Sequence, residues 1–243
     1  MDWDQYATTY DRLCEQNPAY QENIDSMVGL IRSSDLGSAP RICDVGAGTG
    51  NFITAASALM PDAQFTHLDC NASMNRIASE KYERNGISNV EIVEEFVQRA
   101  SFRDHSFDLI ICVHALYAMP PQTVILRKLR RWLTPNGLLF VIDIGRKHRV
   151  FDWGLYIYKN LIARYGYIRA TARLLTYYTA TRENLKTAKG QEHGDYWLHT
   201  TPEFKETLEK AGLSVLAIDP CYRGASDRAI CAPAIDGSEA LTT

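Results

Sequence analysis

Asp44-Val45-Gly46-Ala47-Gly48-Thr49-Gly50 is the stretch that decides how this chain folds. The apolar pair Ile42-Cys43 precedes it and the helical pattern from Phe52 to Leu59 follows, so it is a strand-to-helix turn rich in glycine. A residue without Cβ takes positive φ and lets a ligand come close to the main chain. The helix that starts after Gly50 aims unpaired N–H groups and positive dipole charge at the same place. A dinucleotide-binding turn has the spacing G-x-G-x-x-G, whereas position 51 here is Asn51. The spacing is instead G-x-G-x-G, with an acid two residues ahead of the first glycine.

Outward from the turn, Gln64-Phe65-Thr66-His67-Leu68-Asp69 reads as a second strand ending in an acid. Asp69 follows Gly50 by nineteen positions, near the ~20-residue interval at which an acid reaches ribose hydroxyls. A carboxylate can accept both hydrogen bonds that a vicinal diol offers. A helix to Arg84, a third strand Val90–Val93 and a fourth strand Phe107–Val113 follow. Val124, Ile125, Leu129, Trp132 and Leu133 form one helical face, and Leu138–Ile144 is the fifth strand. The intervening Leu133-Thr134-Pro135-Asn136-Gly137 is expected to close that helix as a turn, where asparagine tolerates the left-handed conformation better than most residues. Upstream, Trp3, Tyr6, Tyr10 and Leu13 fall at helical spacing, and Ile24, Met27, Val28 and Ile31 do so again. Thr201-Pro202 starts a last helix, and Leu213–Ile218 with Arg228–Ala232 make a closing antiparallel hairpin.

The chain has 243 residues, 46% hydrophobic and 23% charged, with a net charge of −3. These are the proportions of a soluble globular protein, and no apolar run approaches a membrane span. No stable membrane insertion and a cytoplasmic location are therefore expected. The charge argues against a general nucleic-acid binder. The six cysteines show no C-x-x-C pair, and no histidine pairing suggests zinc, so reduced thiols and no metal are expected. Charge is unevenly spread. Residues 146–190 hold ten basic against two acidic side chains, a surplus of eight, amid many tyrosines and tryptophans.

Together, Asp44, the three glycines and Asp69 resemble the class I S-adenosylmethionine (SAM)-dependent methyltransferases. The resemblance covers about residues 1–145 and 199–232, and is nearest to the small-molecule, metal-independent enzymes of quinone and secondary-metabolite pathways. It implies an α/β, Rossmann-like sheet of seven strands in the order 3-2-1-4-5-7-6, the last antiparallel, with helices on both faces and a helical lid after strand 5. It implies SAM as cofactor, with S-adenosylhomocysteine as product. Asp44, Gly46, Ala47 and Gly48 would hold its methionine part, and Asp69 with Cys70 the ribose end. Met74 would pack on adenine, Val113 would close the fourth strand against the cofactor, and Tyr10 (or Tyr6), in Tyr-Ala-x-x-Tyr-Asp, would cover it. Relatives carry Gly-Asp-Ala where this chain has Glu95-Phe96-Val97, so either Glu95 takes the adenine amino group or Phe96 stacks on the ring.

The implied organisation is N-terminal covering helices at 1–40, a SAM-binding core at 41–145 and a helical substrate lid at 146–200. A closing helix and hairpin at 201–232 and a disordered tail at 233–243 complete it. Aromatic lid walls suit a planar small-molecule acceptor, and the basic surplus favours an anionic one, if those charges are not a solvated face or a dimer surface. The acceptor, the methylated atom (N, O or C) and the oligomeric state stay open. A base is needed only if the acceptor loses a proton. The candidates are His114, Tyr117, His148, His193 and His199, with His114 and Tyr117 first and His199 next. Competing readings are a protein or nucleic-acid methyltransferase, a non-catalytic SAM-binding protein, or a module for anionic membranes. The metal-dependent catechol type wants acids after the fourth strand, where Val113-His114-Ala115 supplies none.

Overall fold

The computed structural model describes residues 3–147, 149–175 and 178–234. The expected sheet is present, with seven strands in the order β3-β2-β1-β4-β5-β7-β6. These are β1 (Arg41–Val45), β2 (Gln64–Leu68), β3 (Val90–Val93), β4 (Phe107–Val113), β5 (Leu133–Ile144), β6 (Leu213–Cys221) and β7 (Ser226–Pro233). The first five run parallel, and β7 enters antiparallel between β5 and β6.

Strand side chains alternate between two apolar layers, which is why the central strands read as unbroken hydrophobic runs. Cys43, Val45, Ile110, Cys112, Leu139 and Val141 pack against α5 (Gln122–Trp132) and α9 (Thr201–Lys210). Ile42, Phe65, Leu109, Ile111 and Phe140 face α2 (Pro18–Ser33), α3 (Asn51–Ser57) and α4 (Ala72–Arg84). Local chemistry sets the helix starts. Asn17 caps α2 with Pro18 in its first turn, and Thr200 and Glu203 form a reciprocal capping box on α9.

Two expectations need correction. Leu133–Gly137 belongs to β5, where the register with β4 shifts between Phe107 and Leu109, and Asn136 does not take positive φ. Glycine is required next door for another reason, since a Cβ at Gly137 would stand 2.9 Å from the Phe107 carbonyl oxygen. The hairpin is also longer than expected, and Pro233 is its last strand residue rather than the first of a tail. Residues 235–243 lie outside the described residues.

α1 (Trp3–Gln16) lies over the ends of the early elements. Asp11 pairs with Lys81 of α4 at 2.9 Å and accepts a hydrogen bond from Thr49 in the glycine turn. Between β5 and α9 the chain forms α6 (Val150–Tyr165), α7 (Tyr167–Leu175) and α8 (Tyr178–His193). They have a small core of their own, built on Ile157, Leu161 and Ala170.

Candidate functional site

Past β1 the backbone turns away from the sheet, with Gly46 and Ala47 donating to the Leu68 carbonyl at 2.8 and 3.3 Å. Gly46, Gly48 and Gly50 take φ of +71°, +55° and +76°. Each of the three meets different surroundings. A Cβ on Gly46 would stand 2.5 Å from Ala115 Cβ, and one on Gly50 would stand 2.3 Å from the Tyr82 hydroxyl. At Gly48 the space is open, and that space is a cavity.

Gly48 N–H donates to Asp69 Oδ2 at 2.8 Å and Asn71 N–H to Oδ1 at 2.9 Å, which clamps the carboxylate at the tip of β2. Each oxygen keeps further acceptor capacity. Asn71 in turn caps α4 by accepting from Met74 N–H at 2.8 Å. Asp44 sits behind the turn, buried, with no hydrogen-bond partner for Oδ2 among the described residues. Burial, reinforced by the Asp69 charge, pushes its carboxyl up to about 8.

The cavity has a volume of about 590 Å³. Tyr10, Gly46, Gly48, Asp69, Cys70 and Met74 line one end, with Glu95, Phe96 and Val113 beside them. His114 and Tyr117 line it where β4 ends. Asp44, Ala47 and His199 are not in its wall. His193 is an exposed residue at the end of α8, against the Lys189 carbonyl, and His148 lies outside the described residues. Glu95 Oε1 accepts from Phe96 N–H at 2.8 Å, so both adenine-end candidates border the cavity with the Phe96 ring half exposed.

At the other end, His114 has φ +51°, an outlier for a residue with a ring. The strain turns its imidazole across the end of the sheet. Nε2 lies 3.0 Å from Ser226 Oγ, and the ring stands edge-on to Tyr222 with centroids 4.5 Å apart. Tyr222 lies 4.5 Å from Trp153 of α6, and its hydroxyl accepts from Asn17 at 2.9 Å. A His114–Tyr222–Trp153 aromatic wall results. Ile157 of α6 and Asn184 and Thr187 of α8 complete the lid side. The Tyr117 backbone N–H donates to Asp143 Oδ1 at 3.1 Å, and burial pushes its phenol far up. At neutral pH Tyr117 therefore stays protonated, a hydrogen-bond donor rather than a base.

His199 belongs to a buried polar cluster behind this wall. Its Nδ1 is 3.4 Å from Asp227 Oδ2, and Nε2 is 4.0 Å from Asp143 Oδ2. Among the described residues, neither Nε2 nor Asp143 Oδ2 has a hydrogen-bond partner. Burial lowers the imidazole's affinity for a proton and raises that of Asp143. Arg146 is also spent here, on Asp227 and on Thr201 Oγ1 at 2.9 Å. The ring stacks on Phe204. His199 supports the turn from behind and does not reach the cavity.

The expectation of an anion-binding pocket is not met. Among the described residues no lysine or arginine lines the cavity. Arg223 comes closest in kind, lying over the outer aromatic rings of Trp153 and Tyr156 at 4.9 and 4.2 Å. Sequence reasoning missed Asn17, Asn184, Thr187 and Tyr222. Tyr222 is at φ +50° in the β6–β7 connection, a position with no local pattern to announce it. Among the described residues, no group of three or more His, Cys, Asp or Glu side chains is arranged to hold a metal ion.

Residues 42–137 match the family model described as a methyltransferase domain. The chain is 30% identical over 134 residues to a ubiquinone/menaquinone biosynthesis C-methyltransferase of Shewanella woodyi, covering 53% of each protein. It is 22% identical over 145 residues to a demethylmenaquinone methyltransferase of Geobacillus kaustophilus, covering 59% of this chain and 62% of that one. The match thus spans little more than half the length of these curated relatives. A Haloferax volcanii methyltransferase complex with the Trm112 methyltransferase activator shares the fold. It has a TM-score of 0.66 at 14% identity, over 96% of this chain and 98% of that one.

Proposed function

We propose that this chain is a class I SAM-dependent methyltransferase that moves a methyl group to a small, neutral, planar or lipophilic acceptor, a reading supported by its sheet order and by the match to a methyltransferase domain. One observation carries the reading. The glycine turn and the clamped Asp69 open onto a single cavity whose far wall is aromatic and uncharged.

The residues present fit the cofactor. Gly48 offers bare backbone to the cavity, Asp69 retains acceptor capacity for a diol, and Met74 and Phe96 offer apolar surface for a planar base. The volume is within the ~300–1,000 Å³ usual for such ligands. When bound, SAM supplies an electrophilic methyl carbon on a sulfonium, open to in-line displacement.

The protein's share is alignment and exclusion of water, effects that can amount to ~7–11 kcal/mol. Trp153, Tyr222 and Ile157 would hold the acceptor's flat face, with Asn17, Asn184 and Thr187 supplying neutral polar contacts. His114 is the imidazole at the cavity, so it would take the proton from a hydroxyl or acidic carbon of the acceptor. Tyr117 would donate a hydrogen bond. This favours O- or C-methylation over an acceptor with no proton to lose. The names of the quinone-pathway relatives support the same class of acceptor.

Calorimetric titration with SAM and S-adenosylhomocysteine, with NAD as control, tests the cofactor. Methylation assays on paired hydroxylated aromatics, one neutral and one carboxylated, test the acceptor. Turnover of the neutral member is expected, and preference for the carboxylated one overturns the neutral-pocket reading.

A further inference from the structure

Much of the basic surplus of residues 146–190 is exposed and lies away from the cavity. α6 is apolar on two sides. Trp153, Ile157 and Leu161 are buried, while Phe151 and Leu155, four residues apart on the opposite side, are 86% and 55% exposed. Lys159 extends the same outer stripe by another turn and is exposed. α7 packs on α6 through Ala170 and presents Tyr167 and Ile168 outward, 68% and 84% exposed. Large apolar side chains this exposed on two adjacent helices call for a partner.

Charge says which kind. Lys147, Arg149, Lys159, Arg164 and Arg169 are exposed along α6, α7 and their lead-in. Asp152 is the acid of this stretch, and it is held by Arg149 at 2.7 Å. A two-fold contact between copies would set this cationic set against itself. Exposed phenylalanine, leucine and isoleucine on helices whose exposed charges are mostly lysine and arginine match instead an anionic, apolar-cored surface.

We propose that the outer face of α6 and α7 docks on an anionic lipid bilayer, the apolar side chains entering the interface and the basic ones meeting the headgroups. The proposal does not depend on methyl transfer. Together with a lipophilic acceptor it would place the lid where such a compound is dissolved.

The test is sedimentation of the full chain with vesicles of phosphatidylcholine alone or with a third phosphatidylglycerol, at about 0.1 M salt, where the Debye length is ~10 Å. Binding to the anionic vesicles, weakened by salt, is expected. Phe151→Glu with Ile168→Glu should lower partitioning at least about tenfold. Lys159→Gln with Arg164→Gln and Arg169→Gln should flatten the salt dependence. Thermal melts and S-adenosylhomocysteine binding should match the parent for both variants, since no altered residue lines the cavity. Failure of the parent to sediment with anionic vesicles overturns the proposal, and so does equal binding by the glutamate variant. A parent dimer that the glutamate variant converts to monomer does the same and reassigns the face to self-association.

Discussion

The two ends of the cavity are built by opposite means. At the glycine turn the ligand-facing surface is main chain, held by hydrogen bonds from Gly46 and Ala47 to Leu68 and from Gly48 and Asn71 to Asp69. At the lid it is side chain, with Trp153, Ile157, Asn184 and Thr187 projecting from helices that the core does not dictate. Backbone surfaces tolerate almost no change of residue yet read the same from one chain to the next. Side-chain surfaces tolerate change and carry the specificity. The difference teaches where to expect lost binding and where altered selectivity.

The comparison breaks most sharply at Gly48. Gly48→Arg fills the open approach and adds a side chain at φ +55°, so SAM binding by calorimetry should vanish while far-UV circular dichroism stays native. Retained affinity would move the cofactor elsewhere. Next, His114→Asn should lower kcat about a hundredfold or more on a hydroxylated acceptor, with little change in SAM affinity. An unchanged kcat in single-turnover assays would remove its role as base. Trp153→Ala should raise the acceptor KM about tenfold and leave the SAM Kd alone, which separates the two ends directly. A parallel loss of SAM affinity would mean that the ends are not independent.

The smallest effect concerns Asp44. Its folded pKa of about 8 lies above the ordinary carboxylate value, so the folded state binds the proton more tightly than the unfolded one. That stability is fully present below about pH 4 and is lost as pH rises through about 8. Asp44→Asn should therefore flatten the fall in Tm of the unliganded protein between pH 6 and 9. An identical slope in both proteins would show that Asp44 is not the group being charged.

The glycine turn and its two acids were legible because their signals are local. Asp44, the three glycines and Asp69 lie within 26 residues and mark strand ends, and strand ends in such sheets converge on one edge. The sheet order came with the family resemblance those residues carry, not from any local pattern. Asn136 misled because a turn was expected where β5 begins early. His199 misled because its chain position next to α9 says nothing about which way an imidazole points, and here it points at Asp143 and Asp227. The basic surplus was visible in composition, but composition carries no direction, and Lys159, Arg164 and Arg169 are exposed and lie away from the cavity. Tyr222 reaches the site from the final hairpin, 108 positions beyond His114, a contact only tertiary structure creates.

The segment carrying α6, α7 and α8 leaves and rejoins the sheet at one place. The His199 backbone N–H donates to the Gly145 carbonyl at 3.1 Å, and a Cβ at Gly145 would stand 2.8 Å from the His199 ring. Roughly fifty residues therefore hang from a closed neck. For a loop whose ends already meet, doubling its length costs only about 0.6 kcal/mol of closure entropy. Such a neck makes the insert exchangeable cargo. A lineage, or a designer, can swap its helices for others and change what the cavity admits while the strand ends below stay in register.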